Sequence, residues 1–314
     1  MSTGARRARL DRLTGTPHRP RRSIAAVTAC LRAFLALACL ASAARLSAAT
    51  LAEAQQLFLA RRYAEARLVF EQVAAADPGN AEAAYRLGLL ALMRDDPVEA
   101  VARLEQATRL APRMGSYFQA LGDAYGLSTE QAGIFSKLIL AGKCAAAYEK
   151  AVALEPGNVA ARYALVSFYR QAPAIAGGGF DKARLQAIEI QRIDVVRGTI
   201  ALVELNVAER KYAEAFAALA LLRRSHPEAI DVPYQIGRTA AMSGLELDQG
   251  EAAMKEYLRL SPGEEQAPLW AAHWRLGQIF ERKGDRAAAR AEFAAALQLN
   301  PTQPQLLAAM KRVK

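Results

Sequence analysis

The chain has 314 residues, of which 53% are hydrophobic and 23% are charged, a composition that excludes an intrinsically disordered protein. Its formal charge of +10 is concentrated at the N-terminus, because residues 1–49 contain nine arginines and one aspartate. The remaining residues contain 32 basic and 30 acidic side chains, so we expect no nucleic-acid partner for the body of the chain.

The N-terminal segment has the organisation of an export signal. An apolar run over residues 33–44 follows the arginine-rich stretch, and small residues at 41–43 and 47–49 offer cleavage sites of the Ala-x-Ala kind. Together with the alanine- and arginine-rich composition, this pattern predicts a bacterial protein exported to the periplasm after removal of a signal peptide. The alternative is that residues 23–44 stay uncleaved and anchor the chain in the inner membrane. Only in that case do we expect the protein to contact a membrane.

From Thr50 onward the sequence repeats with a step of 34 residues. Ala66 and Phe70, for example, are echoed by Ala100 and Leu104. Each copy contains two stretches of helical periodicity, and in most copies a proline then ends the second helix. The closing prolines are Pro78, Pro112, Pro156, Pro227, Pro262 and Pro301.

The third copy is about ten residues longer than the others, and its additional length lies within residues 127–143. Within this insertion, Ser128-Thr129-Glu130-Gln131 has the pattern of a capping box at a helix N-terminus. Ile134 and Phe135 then begin an apolar stripe. We therefore expect the second helix of this copy to start early and to protrude.

The fourth copy carries an insertion between its helices at residues 172–181. The run Gly177-Gly178-Gly179 within it predicts a loop rather than a phosphate-binding turn, because it follows a helix and lacks a Lys-Ser/Thr ending. Since both insertions separate the two helices of their copies, we expect them at the same edge of adjacent hairpins.

The clearest copy runs from Trp270 to Pro301. Leu276, Gly277 and Phe280 share one face of a first helix, and Ala289, Phe293 and Ala296 form a single stripe on a second. Gly284 and Asp285 separate the two helices. A lone hairpin of this kind cannot bury both apolar faces, so it requires neighbours that are built in the same way.

These repeats resemble the tetratricopeptide repeat family. Phe118, Leu121, Gly122 and Tyr125 match the first half of the family pattern, and Ala289, Phe293, Ala296 and Pro301 match the second half. The resemblance implies an all-α fold: a right-handed superhelical solenoid of about seven helical hairpins over residues 50–301. Residues 303–313 predict a C-terminal capping helix. The expected domains are a signal peptide or anchor at 1–49 and a solenoid at 50–314.

In the family that the chain resembles, first helices line a concave surface and the fifth residue of each repeat points into it. The fifth positions are Tyr85, Gln119, Tyr163, Ile200, Tyr234 and Trp274, and the ninth positions are Leu89, Asp123, Ser167, Glu204, Arg238 and Gln278. One interpretation is that the aromatic rings pack against their own second helices. The other is an aromatic groove for an extended peptide or an amphipathic helix. The candidate groove residues are Tyr85, Tyr163, Tyr234, Arg238, Trp274 and Gln278.

The sequence contains few residues suited to catalysis or metal binding. Cys30 and Cys39 lie in the leader, which leaves Cys144 without a disulfide partner, and its place in the repeat predicts buried packing rather than a reactive thiol. His226 and His273 have no partner residues at ligand spacing, so we interpret both as structural. We expect no metal, no cofactor and no catalytic residue.

The sequence therefore predicts a non-catalytic scaffold that binds a peptide or helix of another protein in the periplasm. Two alternatives remain at this stage. The chain could be a membrane-anchored assembly factor for an envelope complex, or, less favoured, an enzyme whose site is built from the two insertions.

Overall fold

The computed structural model describes residues 50–260, 262–263 and 266–313, and the predicted leader lies outside them. Within these residues the chain forms fifteen α-helices and one short 3-10 turn, and it contains no strand. None of the described helices combines the length and the apolar character that crossing a bilayer requires. The prediction of an all-α fold is confirmed.

The described residues fall into two compact units, which meet in sequence at Pro78 and Gly79. In the first unit, α1 (50–59) and α2 (Tyr63–Ala76) form one hairpin. The ring of Phe58 on α1 meets the rings of Tyr63 and Phe70 on α2 edge to face, at centroid distances of 5.4 and 6.5 Å. Aromatic contacts therefore join the two helices of this hairpin.

The second unit contains six further hairpins and a final helix. Its helices are α3 (Ala81–Met93), α4 (Pro97–Leu110), α5 (Gly115–Gln131), α6 (Ile134–Leu154), α7 (Val159–Gln171), α8 (Phe180–Ile193), α9 (Val195–Ala208), α10 (Tyr212–Ser225), α11 (Asp231–Ser243), α12 (Leu247–Arg259), α13 (Leu269–Lys283), α14 (Arg286–Leu299) and α15 (Pro304–Arg312). Within this unit each second helix contacts the first helix of the next hairpin. The last helix, α15, packs on α14 and buries Leu306 and Ala309, as expected of a capping helix.

Short polar side chains begin many of these helices. The side-chain oxygens of Asn80, Asp96, Asn158, Asp194 and Asp285 each accept a hydrogen bond from the backbone N–H three residues later, at 2.9–3.0 Å. Such caps satisfy donors that the first turn of a helix leaves unpaired. Most second helices end two residues before a closing proline, because proline cannot continue a helix.

Glycine on the first helix lets the second helix approach closely in four hairpins. A Cβ atom at Gly88, Gly122, Gly237 or Gly277 would lie only 2.4–2.5 Å from a side chain of the second helix. The facing side chains are Leu104, Tyr148, Met254 and Phe293, respectively. Each is buried, so this contact forms the centre of its hairpin.

The structure corrects the predicted capping box in the third copy. Residues 128–131 form the last turn of α5 rather than the start of α6. The Ser128 and Thr129 hydroxyls donate to the carbonyl oxygens of Ala124 and Gly126, at 2.8 and 2.6 Å. Serine and threonine hydroxyls can donate to carbonyls of the preceding turn as readily as they accept from free N–H groups. The residue pattern at 128–131 therefore fits the end of a helix as well as its start. The prediction that α6 starts early is confirmed, since it begins at Ile134.

The glycine run of the fourth copy forms a hydrogen-bonded turn. The 3-10 turn Ala174–Ala176 follows α7, and Gly177 then adopts a φ of 86°. The Gly179 N–H donates to the carbonyl oxygen of Tyr169 at 2.8 Å, which draws the insertion back onto the end of α7. The left-handed φ explains why glycine occupies position 177.

Replacing Gly277 with alanine should destabilise the protein, because the new methyl group would overlap the Phe293 ring. We expect the free energy of unfolding to fall by about 1–3 kcal/mol, the usual cost of overpacking. Gly142 on α6 provides the control, since a Cβ atom there meets nothing within 4 Å. Gly142→Ala should instead raise stability by about 0.5–1 kcal/mol. Chemical denaturation followed by circular dichroism measures both, and equal effects would contradict the packing argument.

Candidate functional site

First helices of the second unit pack side by side in two groups, α3 with α5 and α7 through α13. Contacts join α3 to α5, α7 to α9, α9 to α11, and α11 to α13. The predicted groove residues lie on these helices. Ile200 is an exception among the fifth positions, because its side chain is buried in the core between α9 and the following hairpin.

Tyr85 is half-buried on α3 and packs against the next first helix. Its ring stacks on the ring of Tyr117 on α5, with a centroid distance of 4.3 Å and an interplanar angle of 18°. The Tyr117 hydroxyl donates to a carboxylate oxygen of Glu82 at 2.8 Å. These contacts join the first helices of two adjacent hairpins, so Tyr85 has a packing role.

A polar network joins three first helices through Glu204. The Tyr163 hydroxyl on α7 donates to Glu204 Oε2 on α9 at 2.7 Å, and Arg238 Nη1 on α11 lies 3.4 Å from Glu204 Oε1. Arg238 also donates to the side-chain oxygen of Gln235 at 3.2 Å. Burial and the neighbouring carboxylate raise the pKa of Tyr163, which keeps its hydroxyl protonated. The side chains of Glu204 and Arg238 each remain 20% exposed, so this network is reachable from solvent.

Arg275 extends this surface to α13, where Trp274 and Gln278 lie. Its guanidinium carbon is 4.4 Å from the centroid of the Trp274 ring, and its Nη1 donates to the side-chain oxygen of Gln278 at 2.9 Å. Burial lowers the pKa of Arg275; the Arg238 guanidinium lowers it further, whereas Tyr234 opposes the shift. The buried Nε of Arg275 has no hydrogen-bond partner within the described residues.

Two of the predicted aromatic residues also pack within their own hairpins. The Tyr234 ring lies 5.3 Å from the ring of Tyr257 on α12, and Trp274 stacks on Trp270 beside the core around Phe293. The Tyr234 contact agrees with the interpretation that the aromatic rings pack against their own second helices. We call the surface formed by Tyr163, Glu204, Tyr234, Arg238, Trp274 and Arg275 the first-helix face.

A second concave site lies where the two insertions meet, as their position in the repeats predicted. A cleft of about 960 Å³ separates the extended ends of α5 and α6 from the end of α7 and the 3-10 turn. We call it the insertion cleft. Its apolar walls include Phe135 and Leu138 on α6, Phe168 on α7, and Pro173 and Ile175 in the turn.

Asp123, Cys144 and Tyr148 form a polar cluster in the lining of the insertion cleft. The Tyr148 hydroxyl donates to Asp123 Oδ1 at 2.6 Å, and the Cys144 thiol lies beside Tyr148. Burial raises the pKa of Cys144 to about 11, so the thiol is protonated at neutral pH and behaves as a packing residue. The carboxylate of Asp123 reaches solvent, but the surrounding protein raises its pKa, and the bond from Tyr148 only partly offsets that effect.

The two histidines among the described residues, His226 and His273, have structural contacts. Nδ1 of His273 on α13 lies 2.7 Å from Glu292 Oε2 on α14, which links the helices of one hairpin. His226 forms a 2.8 Å contact with the neighbouring Ser225 hydroxyl. In the part of the chain that the structure describes, histidine, cysteine and carboxylate side chains form no group of three that could hold a metal ion.

Comparison with known sequences and structures decides the family. Sequence profiles described as tetratricopeptide repeats match residues 57–122 and 270–303. The chain is a tetratricopeptide repeat protein. The prediction of a helical solenoid of this family is thereby confirmed, and proteins with such repeats generally bind other proteins. No curated protein matches the sequence.

Solved structures of tetratricopeptide repeat proteins share this fold at low sequence identity. A tetratricopeptide repeat protein from Parabacteroides merdae is 14% identical with a TM-score of 0.66, and the alignment covers 85% of this chain and 98% of the other. Yeast Tom70 is 15% identical with a TM-score of 0.61, over 80% of this chain and 51% of Tom70. The C-terminal part of a repeat protein from Cytophaga hutchinsonii is 14% identical, with a TM-score of 0.50 over 83% and 99% of the two chains.

Sequence reasoning missed Arg275 and selected neither Glu204 nor Asp123 as a site residue. Glu204 and Asp123 occupy ninth positions of the tetratricopeptide repeat, but their partners come from other helices. Arg275 directly follows Trp274, a fifth position, and the repeat pattern specifies no residue type at the position of Arg275. The available signal was a charged residue beside an aromatic one on a first helix, which is too common to single out a site.

Glu204→Ala should destabilise this tetratricopeptide repeat protein, because Tyr163 and Arg238 would lose a shared acceptor in a half-buried position. We expect the free energy of unfolding to fall by about 1–3 kcal/mol. Glu189→Ala is the matched control, since Glu189 pairs with Arg192 on an exposed helix surface. It should change stability by less than about 0.5 kcal/mol. Similar losses in both variants on chemical denaturation would show that Glu204 joins no network.

Proposed function

We propose that the chain is a non-catalytic scaffold in the bacterial periplasm and that its first-helix face binds a peptide or helix of a partner protein. The observation that carries this proposal is the network of Tyr163, Glu204 and Arg238, which crosses three hairpins and stays partly open to solvent. Half-buried donors beside aromatic rings are suited to the polar backbone and apolar side chains of a bound segment.

The charge of the first-helix face favours a particular kind of segment. Arg238 and Arg275 contribute two guanidinium groups, and Glu204 contributes one carboxylate, so the three together carry one net positive charge. The lowered pKa of Arg275 reflects both its burial and repulsion from Arg238. A bound carboxylate would relieve that repulsion, and its oxygens could accept from guanidinium groups. A partner segment with an acidic side chain therefore fits this surface.

The chemistry of the insertion cleft gives little support to the enzymatic alternative. A nucleophilic cysteine requires a lowered pKa, whereas burial raises that of Cys144. Burial likewise raises the pKa of Tyr148, and the nearby Asp123 carboxylate adds to that effect. Neither group is thus activated for attack on a substrate.

Alanine substitution of Tyr163, Tyr234 and Trp274 together should reduce partner capture at least tenfold, because the bound segment would lose its aromatic contacts. Capture is measured by crosslinking in the native organism, followed by mass spectrometry of the purified chain. Leu221→Ala is the control, since this exposed residue lies on the second helix α10. Undiminished capture by the triple variant, with an unchanged circular dichroism spectrum, would refute a binding role for the first-helix face.

The two locations proposed for the chain predict different N-termini. Removal of a signal peptide should give a mature chain that begins at or near Ala44 or Thr50, because small residues precede both positions. Intact-mass spectrometry of the protein from its native host measures this directly. Retention of residues 23–44 would favour the membrane-anchored assembly factor instead.

A further inference from the structure

The walls of the insertion cleft consist largely of segments that this chain adds to the repeat. The last turn of α5 and the first turns of α6 form one side, and the turn at residues 172–176 forms the other. Ile134, Phe135 and Ile175 are exposed by 80%, 84% and 82%, respectively. Large apolar side chains concentrated in this way around one concavity indicate a contact surface.

The volume of the cleft is large enough to hold part of a short helix. Two turns of α-helix are about 10 Å long and 10–12 Å in diameter, which corresponds to roughly 850–1,200 Å³. The cleft holds about 960 Å³. The apolar stripe of α6 also continues to Ile139, which is exposed but does not line the cleft. A small molecule inside the cleft would leave Ile139 uncovered, whereas a helix lying along α6 could reach it.

The charged residues that line the cleft indicate which side chain the occupant supplies. The Asp123 carboxylate accepts a hydrogen bond from Tyr148, and the structure gives it no ion pair with any described basic residue. Glu130 adds a second acidic group to the lining, against the single basic residue Lys137. A basic side chain on the occupant would pair with the Asp123 carboxylate at the surface of the cleft.

We propose that the insertion cleft binds a short amphipathic helix of a partner protein, with its apolar face on Phe135, Leu138 and Ile175 and one lysine or arginine on Asp123. This interaction rests on the proposed function as a protein-binding scaffold, but it uses a separate surface. The helix spans about two turns inside the cleft and continues along the exposed stripe of α6.

Selection of displayed peptides tests the chemistry of the occupant. A random library of 16-residue peptides on phage is selected against the purified full chain. Enriched peptides should carry apolar residues at helical spacing together with a lysine or arginine. The affinity of one enriched synthetic peptide is then measured by fluorescence anisotropy. Phe135→Ser and Ile175→Ser should each weaken binding at least tenfold, whereas Val98→Ser, at a site equally exposed on α4, should change it less than twofold.

A double-mutant cycle tests the role of Asp123. Asp123→Asn retains an oxygen that can accept from Tyr148, so the local hydrogen bond is preserved. This variant should bind the peptide about tenfold more weakly, and so should the wild-type chain with a peptide whose basic residue is replaced by glutamine. Combining both changes should cause little additional loss, because each removes the same ion pair.

Several outcomes would overturn the proposal. These are a selection without enriched peptides, enriched peptides that lack the apolar spacing or the basic residue, and binding that is insensitive to Phe135→Ser and Ile175→Ser. If the cleft binds lipid instead, the wild-type chain should bind phosphatidylglycerol vesicles and the same two variants should lose that binding. If it joins two copies of the chain, ultracentrifugation should show a dimer that the two variants lose. The triple alanine variant of the first-helix face should still bind the peptide, so failure of one site is distinguishable from failure of the other.

Discussion

The close approach of two helices at a glycine is the constraint on which much of the fold depends. In the hairpin of α13 and α14, Phe293 covers Gly277 so closely that no side chain fits between the helices. This contact fixes the rotation of the first helix about its axis. Trp274 lies three positions before the glycine, so its side chain points roughly 60° away from the second helix, and Gln278, one position after it, points roughly 100° away. The contact that closes the core therefore leaves both side chains at the edge of the core, where they are only partly packed.

Local rules account for the part of the fold that the sequence predicted. The 34-residue period, the closing prolines and short polar residues such as Asp285 each act within one hairpin, so their meaning does not depend on the rest of the chain. The capping box failed for the opposite reason. Ser128 can bond to either end of a helix, and the length of α5 decides which end is present.

The sites were harder to predict because they depend on how hairpins are placed side by side. Tyr163 and Glu204 are 41 residues apart, a separation that is not one repeat length, and only the packing of α7 on α9 brings them together. The insertion cleft likewise requires α6 to extend and the turn near Ile175 to fold back. The sequence located both insertions at one edge, but the depth and charge of the space between them arise from tertiary packing.

The shared acceptor Glu204 has a consequence for how the chain unfolds. Repeat proteins behave approximately as rows of units whose stability is the sum of intrinsic terms and interfaces between neighbours. Glu204 strengthens two successive interfaces, so the hairpins of α7 to α12 should open as one cooperative block. Between the third and fourth hairpins the insertion cleft replaces packed side chains with open space at one edge. Beneath that edge one core still runs from Tyr148 to Leu165, so the cleft opens the surface of the solenoid without dividing its core.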